Sequence, residues 1–472
     1  MANFSAQNKS IFFAISEQQQ QNSSNLNMTK ALATGKKVSS VNQPKTPVEA
    51  LRKFLELYPD GKFIYIQGDG EEAIQTYQQT WVIAKNILAK LQRQEIKIGS
   101  SIILQLENPF DFIACFWSCI MGGFVPVPTK LIVNQSSSTH KVNQFTEVFY
   151  SLNHPLILTT EKFIEPLSSI LNLKNREKLV TIDCLEKETN NVNLYYHKPE
   201  DWGFFLLSSG TTGKPKIITF NSATLIFRLL RTRENQDQVF LNWLPLEHIG
   251  GLRTVIPNAP LKIYLATNAF LENPLLWLDL IEKYRVTNAN SVNFALALII
   301  ESLQKSSPKR WDLSSIREIG IGAETIIQQT LHNFLAHLSC HGLQSNVLRP
   351  GYGMSECGVI AHNDKVKTAT NGGMFVEVGK PAPGHKIRIV NEDNQLLSEN
   401  EIGRIQVIGA SMTSGYYQNQ ELNQNLFTPD GWINTGDLGF LDHGFLTVTG
   451  REKEQLLDNG FLNKLDKNRL CL

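Results

Sequence analysis

Ser208–Lys216 reads SSGTTGKPK and lies between two short apolar runs, Phe204–Leu207 and Ile217–Phe220. Two strand-length hydrophobic segments joined by Ser, Thr, Gly and Lys predict a hairpin-like loop. Gly210 and Gly213 let backbone N–H groups turn toward an anion. The hydroxyls of Ser208, Ser209, Thr211 and Thr212 donate, and Lys214 and Lys216 add positive charge. That set of groups suits phosphate. The Walker pattern G-x-x-x-x-G-K-[ST] fails, because Pro215 follows Gly213-Lys214 and no second glycine has the required spacing. A kinase or GTPase of the P-loop type is thereby disfavoured. Ordinary surface loops use the same residue types, so this run by itself leaves a plain loop open.

Outward from the loop, the chain alternates strand and helix patterns. Val48–Tyr58 and Gln75–Leu91 repeat apolar residues three to four apart, as helices do. Ser101–Leu106 (SIILQL) reads as a buried strand, Pro109–Met121 as an apolar helix ending at Gly122-Gly123, and Phe124–Pro128 as a second strand. Further strand-like segments follow at Leu156–Thr159, Leu179–Ile182, Trp202–Leu207, Val239–Trp243, Lys262–Ala266 and Arg317–Ile321. Such alternation predicts an α/β fold with largely parallel sheets, in two stacked subdomains, residues 46–200 and 201–380. After residue 380 the segments shorten and alternate, predicting a small antiparallel β-barrel subdomain over 381–450. Residues 1–45, with Gln18–Gln21 and few large apolar side chains, are expected to be a disordered polar tail. Residues 451–472 are left as a hinge and a short C-terminal end.

Composition narrows the function classes. Lys plus Arg is 45 against 44 Asp plus Glu in 472 residues, so no sequence-wide charge draws nucleic acid or anionic lipid. No apolar run is long enough to span a bilayer and no secretory signal opens the chain, so the expected location is cytoplasmic. Six cysteines are too sparse for a disulfide framework. Cys115 and Cys119, inside an apolar run, are expected to pack in a core. The ten histidines show no zinc-site spacing.

Beyond the loop, further short runs follow in order: LPLEHIGG (Leu244–Gly251), GAE (Gly322–Glu324), GYGMSEC (Gly351–Cys357), EIGRIQVIG with SGYYQN, GWINTGDLGFL (Gly431–Leu441) and GREKE (Gly450–Glu454). Together with SSGTTGKPK they resemble, in sequence order, the motifs of the adenylate-forming (AMP-binding) enzymes. The likeness is greatest to fatty-acyl-AMP ligases and to starter-unit adenylation domains of polyketide and nonribosomal peptide synthases, and it runs from about Thr46 to Gly460.

The resemblance implies the large N-terminal domain of that fold and an AMP-forming ligase that uses ATP and Mg²⁺. In such a reaction a carboxylate displaces pyrophosphate from the α-phosphate, and the protein mainly positions reactants and neutralises charge. The implied nucleotide contacts are Ser208, Ser209, Gly210, Thr211, Thr212, Gly213 and Lys216 at the β- and γ-phosphates. Gly322, Ala323, Glu324, Tyr352 and Gly353 would surround adenine, and Asp437 and Arg451 the ribose. Glu356 is the implied Mg²⁺ ligand. Ser355, where the family usually has Thr, would hydrogen-bond the α-phosphate. His248 is implied as a gate beside the substrate carboxylate. It needs no general-base role, since a carboxylate is already ionised.

Amino-acid-activating relatives carry an Asp near the His248 region; here Asn242-Trp243 and Glu247 are the nearest residues. VTNANSVNFALALI (Val286–Ile299) resembles the pocket strand of fatty-acyl-AMP ligases, with Val292 where those relatives often have Pro, and nominates Asn293 and Phe294 as pocket residues. The expected substrate is a non-amino carboxylic acid: fatty, aryl or aryl-keto. Its acyl group would pass to a carrier-protein phosphopantetheine or to CoA. The family also places a small subdomain with a late lysine beyond the hinge, at Lys453, and FLNKLDKNRLCL does not carry it. Two accounts stay open: truncation, which is favoured, or a separate chain supplying the subdomain. Under both, the expectation is ATP binding, feeble adenylation and no thioester formation. The alternatives are a non-catalytic ATP-binding remnant or scaffold, and a free-standing acyl-CoA ligase.

Overall fold

The structure, a computed structural model, describes residues 29–38, 44–68, 70–132, 139–183, 192–209, 215–230, 236–307, 309–363 and 375–452. Local signals set the first elements. Thr46 caps the helix Pro47–Leu57 by accepting the Glu49 N–H at 3.1 Å, with Pro at its first position, and Val48, Leu51, Phe54 and Leu55 form its buried stripe. A capping box of Thr76 and Gln79 opens the helix Tyr77–Gln92. Gln75 and Thr76, expected inside that helix, instead complete the strand Glu72–Thr76.

Apolar runs become strands buried on both faces. Ser101–Leu104 lies in a four-stranded parallel sheet with Val125–Pro128, Leu156–Thr159 and Leu179–Thr181. Ile102 and Leu104 face the main core, whereas Ile103 faces a second core with Val125, Ile157, Phe145 and Phe149. The loop-bearing hairpin, Trp202–Ser209 with Pro215–Asn221, follows the same alternation. Phe204, Leu206, Ile218 and Phe220 enter the main core, and Phe205 and Ile217 the second. An unbroken apolar run with two buried faces is the pattern of such strands. Cys115 and Cys119 are buried within the helix Pro109–Gly122, as expected.

The larger sheet carries the parallel series Leu348–Met354, Glu318–Ile321, Asn288–Ser291, Val239–Asn242, Leu261–Leu265 and Lys62–Ile66, side by side in that order. Beyond Leu348–Met354 the pairing turns antiparallel through Gly358–His362, Glu377–Pro381, Phe445–Arg451, Ile433–Asp442, Gly403–Gly409 and His385–Val390. One sheet therefore joins the α/β body to the expected antiparallel region after residue 380.

Two expectations about boundaries change. Lys62–Ile66 pairs in parallel with Leu261–Leu265, so the sheet crosses the division placed at residue 200. Periodicity identifies a strand but not its partner, which here lies about two hundred residues away in the chain. Part of the expected tail is also built into the fold: Leu32–Thr34 pairs antiparallel with Lys386–Arg388 at the sheet edge, with Ala31 and Ala33 buried. An open sheet edge supplies backbone partners to a short segment whatever its wider composition. Residues 1–28 and 39–43 of that tail, and 453–472 at the other end, lie outside the described residues. No described helix is long and apolar enough to cross a membrane.

Candidate active site

Tyr352, Gly353, Asp437 and Arg451, four of the residues the resemblance assigns to a nucleotide, gather where the parallel series gives way to antiparallel pairing. Tyr352 and Gly353 sit at a bulge in the pairing of Leu348–Met354 with Gly358–His362. A Cβ on Gly353 would stand 2.2 Å from the Gly358 carbonyl oxygen, so only glycine lets the two strands approach there. The bulge carries the Tyr352 hydroxyl to Asp437 Oδ2, to which it donates at 2.5 Å. The other oxygen, Oδ1, takes Arg451 Nε at 2.8 Å. Asp437 and Arg451 are direct register partners on Ile433–Asp442 and Phe445–Arg451, and Thr435 Oγ1 accepts the Asp437 N–H at 3.1 Å. Asp437 is buried while the Arg451 side chain is largely exposed. Burial, then the Asp437 charge, pushes the Tyr352 hydroxyl well above its ordinary pKa, so it stays a donor.

Glu356 lies in the turn just after Tyr352, and Ser355, half-buried, precedes it. Its carboxylate is buried and accepts the Tyr416 hydroxyl through Oε1 at 2.7 Å. Among the described residues no protein group donates to Oε2. Tyr416 belongs to Gly415–Tyr416, the third strand of the phosphate-loop hairpin sheet. Lys216 Nζ, on the same hairpin, stands 5.2 Å from the Tyr416 ring centre. Ser208 and Lys216 are register partners, as are Ser209 and Pro215. Gly210, Thr211, Thr212 and Gly213 lie outside the described residues, as does Lys453.

Beside Leu348–Met354, Gly322, Ala323 and Glu324 follow the neighbouring parallel strand Glu318–Ile321; a Cβ on Gly322 would stand 3.1 Å from the Gly351 carbonyl oxygen, and Ala323 takes a left-handed φ of 69°. Glu324 accepts the Phe294 N–H at 2.6 Å, and Asn293 Oδ1 accepts the Ile327 N–H at 2.9 Å. These reciprocal bonds tie the GAE turn to the first turn of the helix Asn293–Lys305, where a carboxylate satisfies an orphan helix donor. The buried Asn293 is thus a brace between two elements, and Phe294 presents its ring edge-on to Trp243 at 6.1 Å. Trp243, fully buried, stacks on Phe270 at 4.1 Å. His248 begins the short helix Ile249–Leu252 and is half-buried. Burial, then the Lys130 ammonium, holds its imidazole below the ordinary pKa. Burial raises the Glu247 carboxyl.

Residue patterns alone missed Tyr416 and Lys130. Tyr416 stands in SGYYQN, which reads only as an entry to the antiparallel region, and nothing in its spacing announces a partner sixty residues back. Lys130 follows the apolar VPVPT, and its coupling to Glu247 and His248 exists only in the folded chain.

A family model described as AMP-binding enzyme matches residues 51–417. The nonribosomal peptide synthetase apvA of Aspergillus terreus (strain NIH 2624 / FGSC A1156) is 28% identical over 446 residues, covering 88% of this chain and 47% of that protein. The chain thus spans about half the length of the curated relatives it matches. Among solved structures, the adenylation domain of a keto acid-selecting NRPS module bound to keto acyl adenylate is similar at 31% identity with a TM-score of 0.82, covering 90% of this chain and 83% of that one. McyG A-PCP complexed with phenylalanyl-adenylate is similar at 33% identity and TM-score 0.82, covering 89% of this chain and 68% of that one. With Tyr352, Glu356, Asp437 and Arg451 brought together around the sheet junction and the match extending over most of the chain, this protein belongs to the AMP-binding enzyme family.

Proposed function

We propose that this chain activates a non-amino carboxylic acid, of the fatty, aryl or aryl-keto class, as its acyl adenylate for transfer to a carrier-protein or CoA thiol. A carboxylate oxygen forms a bond to the α-phosphorus of ATP, and the bond from that phosphorus to the bridging oxygen breaks as pyrophosphate leaves. No proton moves in this step. Positioning and charge neutralisation are what the protein has to supply. The observation that carries the reading is one strand and turn that delivers Tyr352 to Asp437 and Glu356 to Tyr416.

In this reading Asp437 accepts the ribose hydroxyls, held in place by Tyr352 and Arg451. Ser208 and Lys216 face the departing pyrophosphate, and Ser355 donates to the α-phosphate. Glu356 offers a hard oxygen, Oε2, to Mg²⁺. Among the described residues no group of three His, Cys, Asp or Glu side chains could hold a metal alone. That fits an ion shared with nucleotide phosphates, since Mg²⁺ is commonly held by one or two carboxylates plus substrate oxygens. When bound, the ion neutralises charge on the phosphates. The acid class is supported by the buried Asn242 amide and the aromatic group of Trp243, Phe270 and Phe294, with burial raising the nearby Glu247 carboxyl toward its neutral form. Similarity to a domain solved with a keto acyl adenylate supports the non-amino class, whereas similarity to McyG A-PCP complexed with phenylalanyl-adenylate supports an amino acid, and the acid panel decides between them.

ATP–pyrophosphate exchange over a panel of fatty, aryl, aryl-keto and amino acids tests the reading. Exchange driven by one of the non-amino classes is expected, and exchange with amino acids alone overturns it.

A further inference from the structure

Tyr416 is more thoroughly restrained than a strand-end tyrosine needs to be. Gly415 and Tyr416 pair antiparallel with Thr219 and Ile218 on the phosphate-loop hairpin. Around them the Ser414 N–H donates to the Thr219 carbonyl at 2.9 Å and the Tyr417 N–H to the Ile217 carbonyl at 2.8 Å. Thr413 Oγ1 donates to the Thr219 carbonyl at 2.6 Å, and the Thr413 N–H donates to the Glu356 carbonyl at 2.7 Å. The Asn423 side chain then brackets the Tyr416 backbone. Its Oδ1 accepts the Tyr416 N–H at 2.7 Å and its Nδ2 donates to the Tyr416 carbonyl at 3.0 Å. Gly415 makes room for that amide: at φ 123° a Cβ there would lie 2.8 Å from Asn423 Oδ1.

The product of these restraints is one hydroxyl placed on one carboxylate oxygen. The phenol has one proton to donate, and Glu356 Oε1 accepts it at 2.7 Å. A donated hydrogen bond to Oε1 fixes the rotation of the Glu356 carboxylate and leaves Oε2 as its open anionic oxygen. Outer partners of this kind set the orientation of a ligating group. We propose that Tyr416 is a positioning residue for Glu356, aiming Oε2 at the divalent cation carried by ATP and linking that carboxylate to the phosphate-loop hairpin. The inference rests on the reading of Glu356 as the metal carboxylate.

Calorimetric titration of the full chain with ATP, in excess Mg²⁺ and again in EDTA, gives the gain in affinity due to the metal. The Tyr416→Phe variant removes only the hydroxyl and should cut that gain by about tenfold, the lower end for an outer partner of a metal ligand. Its affinity for metal-free ATP should stay within about twofold of wild type, which also reports an intact fold. Asn423→Ala keeps the hydroxyl and loosens its backbone mount, and should show the same selective loss to a smaller degree. Equal Mg²⁺ gains in wild type and Tyr416→Phe would overturn the inference, as would equal losses with and without metal, which mark a merely structural hydroxyl. Should Tyr416→Phe fail to fold, Asn423→Ala decides by the same two criteria. A wild-type affinity indifferent to Mg²⁺ would overturn the metal reading of Glu356 itself, a result distinguishable from failure at Tyr416 alone.

Discussion

The residues proposed to hold the nucleotide and those proposed to hold the acid are built on different principles. On the nucleotide side, buried carboxylates meet specific donors: Asp437 takes Tyr352 on one oxygen and Arg451 on the other, and Glu356 takes Tyr416. In the proposed acid region the contacts are stacked or edge-on aromatic rings, Trp243 with Phe270 and Phe294, and the Phe294 N–H is accepted by Glu324 of the neighbouring turn. Directional bonds to charged groups tolerate little change in residue type, because a buried partner left alone costs a full desolvation penalty. Packed apolar walls tolerate exchange of one shape for another. A site of the proposed kind can keep one nucleotide while its acid varies.

Substitutions can break that contrast. The largest effect is expected at the acid-side wall: Trp243→Ala removes a fully buried ring stacked on Phe270 and should lower the unfolding free energy by about 3–5 kcal/mol. Urea unfolding measures it, and a loss below about 1 kcal/mol would mean that this side is not a packed wall. Next comes Asp437→Asn, which keeps the shape and removes the charge between Tyr352 and Arg451. ATP–pyrophosphate exchange should fall about a hundredfold in kcat/KM, or about 3 kcal/mol. Thermal unfolding should move little, because Arg451 is largely exposed and can turn to water. A large loss of stability with exchange preserved would assign Asp437 to the fold and not to the nucleotide.

The smallest effect concerns His248. Its imidazole lies below the ordinary pKa in the folded chain, from burial first and Lys130 second, so the unfolded chain takes up the proton first as pH falls. The stability linked to the neutral ring is complete above the unfolded value, about 6.5, and is lost as pH drops through it toward the folded one. His248→Gln, which cannot titrate, should therefore show a shallower decline of unfolding free energy from about pH 7 to about pH 5.5. Parallel curves for the two proteins would show that His248 is not held neutral by its surroundings.

Much of this was legible in the residues. Thr46-Pro47 and the Thr76/Gln79 capping box start helices through contacts three residues apart, and two-sided apolar runs such as SIILQL declare buried strands, because such signals are short-range. Motif order also nominated Tyr352, Glu356, Asp437 and Arg451 as a set. What these runs could not express was partnership across the chain: Lys62–Ile66 beside Leu261–Leu265, Leu32–Thr34 on the edge beside Lys386–Arg388, and Asn293 bonded to the Ile327 N–H. Tyr416 belongs with them. Its residue type was plain from the start, but a phenol acquires a task only when backbone pairing and Asn423 set its hydroxyl against a carboxylate sixty positions away. Local periodicity and residue chemistry act within a few positions, whereas strand pairing and buried hydrogen bonds are settled by which surfaces meet when the cores close.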